Sequence, residues 1–186
     1  MSVKNNLLST FRQKDELSPQ IWGENTDSGE FFMLPEVRDQ LLEITNEFLA
    51  YLDIPSLDCE IDTRECDIED IVVTGSIANY NWSRFSDIDL HVMLDMEEID
   101  ENMDLVKNYL NAKKNLWNST HDITIRGFEV ELYSQDIKET HFSSGVYSIL
   151  FNEWVIEPKK ETLNIDEQKI LEKAQGWMEI IDGLYS

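Results

Sequence analysis

The stretch from Ile71 to Leu94 constrains this chain more than any other. Ile71-Val72-Val73 is a short apolar run ending in Thr74-Gly75-Ser76, the pattern of a buried strand that feeds a tight turn. Ile77 to Ser86 leave room for one short helical turn and a loop. Then Asp87-Ile88-Asp89-Leu90-His91-Val92-Met93-Leu94 alternates in polarity. Ile88, Leu90, Val92 and Leu94 fall on one face of a strand; Asp87, Asp89 and His91 fall on the other. Gly75 permits a sharp turn and close approach of backbone to a ligand. Backbone N–H groups after it, with the Ser76 hydroxyl, can grip phosphate oxygens at a helix N-terminus. Carboxylates two apart on a strand project from the same face and repel when unpaired, which raises at least one pKa. A hard divalent cation relieves that repulsion, and Mg²⁺ favours a few carboxylates plus substrate phosphates.

The flanking segments supply a frame. Pro35 reads as a first helical position, followed by Val37, Leu41, Ile44, Phe48 and Leu52 at helical spacing. That helix should stop before Pro55, and the acid-rich residues 53–69 read mainly as loop. Residues 98–117 suggest a second helix with Ile99, Met103, Val106 and Leu110 on its apolar stripe. Ile123-Thr124-Ile125, a turn at Arg126-Gly127 and Phe128 to Tyr133 predict a hairpin. On its second arm Phe128, Val130 and Leu132 face one way, Glu129 and Glu131 the other. That acidic face offers a third carboxylate, Glu131 or Glu129, for a second metal or for deprotonating an acceptor. Residues 142–157 are apolar and mixed, read as a short helix and a strand. A final helix runs from Ile165 to Leu184, and its apolar face should pack on the domain or on a second subunit.

Three divisions follow: an N-terminal extension over 1–34, partly irregular; a domain over 35–157; and a C-terminal helix over 158–186. The fold class is α/β, or α+β in a stricter vocabulary, with a short mixed sheet flanked by helices. At 41% hydrophobic residues, with five tryptophans and eight phenylalanines, the chain can form a core. Its 38 acids against 15 bases give a formal charge of −23, which repels nucleic-acid backbones and anionic membranes. A nucleotide is still admissible, because a divalent cation reverses the local sign. No stretch nears the roughly 18 apolar residues of a membrane span, and the N-terminus does not read as a signal peptide. Cys59 and Cys66 are expected as free thiols, and the cytoplasm as the compartment. Motifs of P-loop enzymes, α/β-hydrolases and zinc proteases are absent.

Thr74-Gly75-Ser76 with Ser86-Asp87-Ile88-Asp89-Leu90 resembles the nucleotidyltransferases of the polymerase-beta superfamily. Val130-Glu131-Leu132 looks like the family's third-carboxylate strand. The run from Gly75 to Ser83, Ser86 to His91, and Ser143 to Ser148 is similar to small nucleotidyltransferase-like proteins of tailed phages and their hosts. The resemblance spans roughly residues 35–157, and a phage-encoded member would work in the host cytoplasm. It implies a nucleotidyltransferase fold and a reaction: transfer of a nucleoside monophosphate from an NTP such as ATP to an acceptor hydroxyl, releasing pyrophosphate. Gly75, Ser76, Ser86 and Tyr80 would hold the nucleotide. Asp87, Asp89 and Glu131 would be catalytic and would hold Mg²⁺ (or Mn²⁺). Many members carry Arg-Gly shortly after Gly-Ser, where this chain has Asn79-Tyr80, and the third carboxylate here is Glu rather than Asp. The acidic surface favours a small molecule or a protein over long RNA as acceptor. Other readings are an inactive nucleotidyltransferase-like module and an acidic interaction protein. Tyr80 and Trp82 either stack on a base or pack on the core. His91 either nears the metals or is a satisfied neutral histidine. Arg84 is a surface residue by default, His121 and His141 are structural, and Ser143 and Ser144 either touch the nucleotide or cap a loop.

Overall fold

The computed structural model describes residues 13–57, 61, 68–139, 143–160 and 167–184. Cys59, Cys66 and His141, and most of the expected acidic loop, lie outside these residues. The described chain is mixed α+β, with a mixed sheet flanked by helices and a C-terminal helix.

In chain order the elements are β1 (Trp22–Glu24), β2 (Phe31–Met33), α1 (Pro35–Leu52), a 3₁₀ turn (Pro55–Leu57), β3 (Asp70–Thr74), β4 (Ile88–Leu94), α2 (Met96–Ile99) and α3 (Met103–Thr120). They continue with β5 (Thr124–Ile125), β6 (Phe128–Asp136), β7 (Val146–Ser148), β8 (Glu153–Ile156) and α4 (Glu167–Leu184). A six-stranded sheet has the order β5-β6-β4-β3-β7-β8. Its β4–β6 pair is parallel and its other pairs are antiparallel. Parallel neighbours need a long crossover, and α2, α3 and β5 occupy it.

Helix α1 begins with Pro35 in the first turn and closes on Asp53 in the left-handed conformation, whose N–H reaches the Ala50 carbonyl. Val37, Leu41, Phe48 and Leu52 are fully buried. Each such side chain contributes about 1.5–3 kcal/mol, against a few tenths for helix propensity, so burial holds this helix in place. The stretch expected as one helix over 98–117 is two. Asp95 caps α2 by accepting from Glu97 N–H, and Asn102 caps α3 by accepting from Leu105 N–H. Two N-caps within eight residues satisfy two sets of free amides and divide the run. Phe48 and Tyr51 of α1 meet Trp117 of α3, with Phe48 edge-on at 5.5 Å. Ile88, Leu90, Val92 and Leu94 of β4 are fully buried in the same core.

Among the described residues before Pro35, Trp22 pairs with Met33 in a β1–β2 hairpin, and Leu17, Ile21, Trp22 and Met33 are core residues. Indole Nε1–H groups fasten this hairpin, Trp22 to the Ile77 carbonyl at 2.8 Å and Trp154 to the Phe31 carbonyl at 2.7 Å. Residues 142–157 hold two strands, β7 and β8, and no helix among those described. Tyr147 and Trp154 alternate with smaller residues there and pack around Trp22.

The C-terminal helix forms, and none of its described side chains is buried. Trp177, Met178, Ile181 and Leu184 of α4 are 59%, 64%, 50% and 78% exposed. Among the described residues, α1, α3 and the β1–β2 hairpin contribute to the main core with the sheet, and none of the core residues comes from α4. None of the described helices is long and apolar enough to cross a membrane.

Candidate functional site

Strand register brings the carboxylates together. Antiparallel pairing sets Thr74 of β3 beside Asp89 of β4. Parallel pairing sets Asp89 beside Glu131 of β6. Cross-strand partners share a face, so Asp89 and Glu131 point away from the core, and Asp87 arrives at the same face one residue before β4. One oxygen of each of Asp87, Asp89 and Glu131 lies within 4.8 Å of the others. Glu129 pairs with Thr124 near the hairpin turn and is exposed, leaving Glu131 as the third carboxylate.

Three anions at that separation are costly without a counter-charge. Burial raises the Asp89 carboxyl to about 6, with Asp87 and then Glu131 adding to the push. The Tyr133 hydroxyl donates to Glu131 Oε2 at 2.5 Å, leaving Oε1 for another partner. Burial comes first in raising the Tyr133 pKa, then the Glu131 hydrogen bond and charge. The three carboxylates suit a hard divalent cation in number and donor type, and the repulsion on Asp89 is what such a cation would remove.

Gly75 joins the carboxylates to the turn. Its φ is +74°, and a Cβ there would sit 1.9 Å from Asp89 Oδ2. No side chain fits, so the backbone itself runs against the acid. No helix follows: residues 75–78 form a turn, with Asn79 N–H on the Ser76 carbonyl. The expected phosphate grip at a helix N-terminus is therefore reduced to turn amides and hydroxyls. Ser76 Oγ and Ser86 Oγ are 2.6 Å apart, and Ser86 Oγ also accepts from Ser83 N–H, so the two ends of the loop are tied.

Beside Gly75 lies a cavity of about 490 Å³ lined by Thr74, Gly75, Ser76, Asn79, Tyr80, Ser143, Ser144 and Lys159, among others. Asp87, Asp89 and Glu131 are not on its wall; Thr74 and Gly75 stand between. Ser143 and Ser144 are braced rather than loose. Asn79 Nδ2 donates to the Gly75 carbonyl at 2.6 Å and Ser144 Oγ donates to Asn79 Oδ1 at 2.8 Å. A Cβ on Gly145 would lie 2.0 Å from the Ala78 carbonyl oxygen, so only glycine lets this loop close on the turn.

Tyr80 and Trp82 both lie against the core, and Tyr80 also lines the cavity. Trp82 Nε1 donates to the Glu16 carbonyl, which commits that ring to the N-terminal segment. His91 is on the carboxylate face, stacked on Tyr133 at 4.7 Å with Nδ1 2.7 Å from Gln135 Oε1. Arg84 lies over the exposed Phe85 ring and does not line the cavity. His121 caps α3, stacked on Trp117 with Nδ1 at the Trp117 carbonyl, in the structural role expected of it.

Contributors not singled out from sequence are Tyr133, Lys159, Lys160, Lys14 and Asn79. Tyr133 was legible, because it is two residues beyond Glu131 on the same strand face. Lys159 and Lys160 follow Pro158 in an acid-rich chain, a local charge reversal that marks them. Lys160 Nζ lies 5.0 Å from the Tyr80 ring centre and Lys14 Nζ 5.7 Å from that of Trp82. The role of Asn79 depends on a contact 65 residues away and left no sequence signal. Comparisons with protein-family models, curated proteins and solved structures found no match to the chain.

Proposed function

We propose that this protein is a nucleotidyltransferase with the fold of the polymerase-beta superfamily. It would move a nucleoside monophosphate from an NTP to an acceptor hydroxyl in a Mg²⁺-dependent reaction. The observation that carries this reading is the convergence of Asp87, Asp89 and Glu131 beside a glycine turn that no side chain could replace. Asp87, Asp89 and Glu131 would hold the cation, which supplies neutralising charge at the phosphates. The Gly75-Ser76 amides and the Ser76 hydroxyl would bind phosphate oxygens in the adjoining cavity, with Ser86, which does not line it, holding the Ser76 hydroxyl, and Lys159 adds positive charge on its wall. Tyr80 borders the base end. Tyr133 fixes the orientation of Glu131 through its hydroxyl, leaving Oε1 for the cation. Most of the rate would come from positioning and charge neutralisation, as in phosphoryl transfer generally.

A second reading, a nucleotide-binding module without transfer, draws on the mutual Ser76–Ser86 hydrogen bond, which engages the very hydroxyl a phosphate would need. Thermal-shift titration with each of ATP, GTP, CTP and UTP, with and without Mg²⁺, tests both. A ligand at about 100 times its Kd adds roughly 2.7 kcal/mol to stability. The expected result is a Mg²⁺-dependent shift that disappears in the Asp87→Ala/Asp89→Ala double variant, followed by NTP-dependent pyrophosphate release. A shift without release for any acceptor favours the binding module. No shift with any nucleotide refutes both.

A further inference from the structure

A second cavity, of about 380 Å³, lies between the β1–β2 hairpin and the β7–β8 edge. That volume is in the range of about 300–1,000 Å³ typical of small-molecule sites. Phe31, Tyr147 and Trp154 line it, and Glu30, Glu153 and Glu157 stand at its exposed rim. The rings are held firmly. Trp154 stacks on Trp22 at 4.6 Å and donates to the Phe31 carbonyl. The Tyr147 hydroxyl donates to Asn152 Oδ1 at 3.0 Å. Among the described residues none of the three rim glutamates is in an ion pair. Arg38, whose charge also reaches Tyr147, does not line the cavity and spends its N–H groups on the Ile149 and Leu150 carbonyls.

Aromatic faces attract organic cations, and a carboxylate rim repels anions while favouring a positive ligand. The cavity is therefore unsuited to a phosphate and suited to an amine or quaternary ammonium. Its neighbour has the opposite character. Phe31 on this wall meets Tyr80 on the other edge-on at 6.4 Å. Glu157 faces this cavity and Lys159, two residues on, faces the other. One short segment thus gives adjoining cavities opposite charge.

We propose that the Phe31–Tyr147–Trp154 cavity binds a small organic cation, an amine or quaternary ammonium, at a site separate from the carboxylate cluster.

Binding is measured without nucleotide or Mg²⁺, by tryptophan fluorescence at about 150 mM ionic strength, where long-range attraction to the acidic surface is screened. The probes are choline and ethanolamine, each against its neutral counterpart, 3,3-dimethylbutan-1-ol and propan-1-ol. At least one cation is expected to bind saturably and about tenfold more tightly than its counterpart. Glu153→Gln/Glu157→Gln, at exposed positions, is expected to weaken that binding about fivefold or more while leaving the Mg²⁺-nucleotide shift unchanged. Trp154→Phe, which keeps an aromatic face, is expected to weaken it less than Trp154→Leu. Cations that bind no better than their neutral counterparts overturn the proposal. So does cation binding undiminished in the double glutamine variant, which would be general attraction to an acidic surface. Selective cation binding with no nucleotide shift would refute the transfer reading but not the cation site.

Discussion

Replacing Asp89 by Asn should stabilise the metal-free protein while removing its response to Mg²⁺. The Asp89 carboxyl titrates near 3.8 in the unfolded chain and at about 6 in the folded one, because burial, Asp87 and Glu131 all oppose its charge. At 1.36 kcal/mol per pH unit that shift amounts to roughly 3 kcal/mol. The side chain is partly exposed, so solvent screening reduces it to about 1–2 kcal/mol. The sign follows from proton binding. Between pH 3.8 and about 6 the folded state holds more protons at Asp89 than the unfolded state does, so stability falls as pH rises through that window. Below it the acid is neutral in both states and imposes nothing; above it the full penalty persists. Asn keeps the shape and removes the charge. In EDTA at neutral pH the variant should melt about 2–8 °C above the parent, using about 2–4 °C per kcal/mol for a chain of this size. That gap should shrink toward pH 4. Adding Mg²⁺ should raise the melting temperature of the parent and leave that of the variant unmoved. Scanning calorimetry over this pH range, with EDTA and then with Mg²⁺, reads all three. A variant less stable than the parent in EDTA at pH 7.5 would refute the reasoning, since Asp89 would then be held by favourable contacts rather than strained by its neighbours.

Gly75→Ala would force a side chain into a left-handed turn and against Asp89 Oδ2. A loss of about 2–4 kcal/mol in urea unfolding is expected, together with loss of the Mg²⁺-nucleotide shift; a retained shift would show that the turn does not position the acid. Tyr133→Phe removes the donor to Glu131 Oε2. Mg²⁺ should bind about tenfold more weakly, as when other orienting partners of metal ligands are lost, and unchanged affinity would mean Glu131 is positioned without it. Removing residues 167–186 should change unfolding free energy by no more than about 0.5 kcal/mol, because the described residues of α4 bury no side chain. A larger loss would show that α4 is covered in solution.

What the sequence revealed, and what it hid, divides by the range of the interaction. Alternation within β4 and β6 is local, so the faces of Asp87, Asp89 and Glu131 were legible, and so was the choice between core and solvent for Ile88, Leu90, Val130 and Leu132. The pairing of Asp89 with Glu131 is not local: a parallel register spans the whole α2–α3–β5 crossover, and only the resemblance anticipated it. Strands β1, β2 and β7 have three residues each, too few for a period to show. Trp22 and Trp154 reveal themselves as anchors only once each indole finds a distant carbonyl. For α4 the amphipathic pattern foretold the helix correctly, but a pattern says that a face wants cover and not what covers it.

Charge gives the same lesson at larger scale. A formal −23 argues against any long anionic partner, yet the field a small ligand meets is set within a Debye length of about 8 Å. Lys159 lines the cavity beside Gly75 while Lys160 and Lys14 lie over Tyr80 and Trp82, so basic residues gather around that cavity. Across the Phe31–Tyr80 contact the sign reverses at Glu157. Net charge is therefore evidence about size class of partner rather than sign of substrate. It disfavours a polyanion that must run over the surface, and leaves room for a triphosphate that reaches only the lysines.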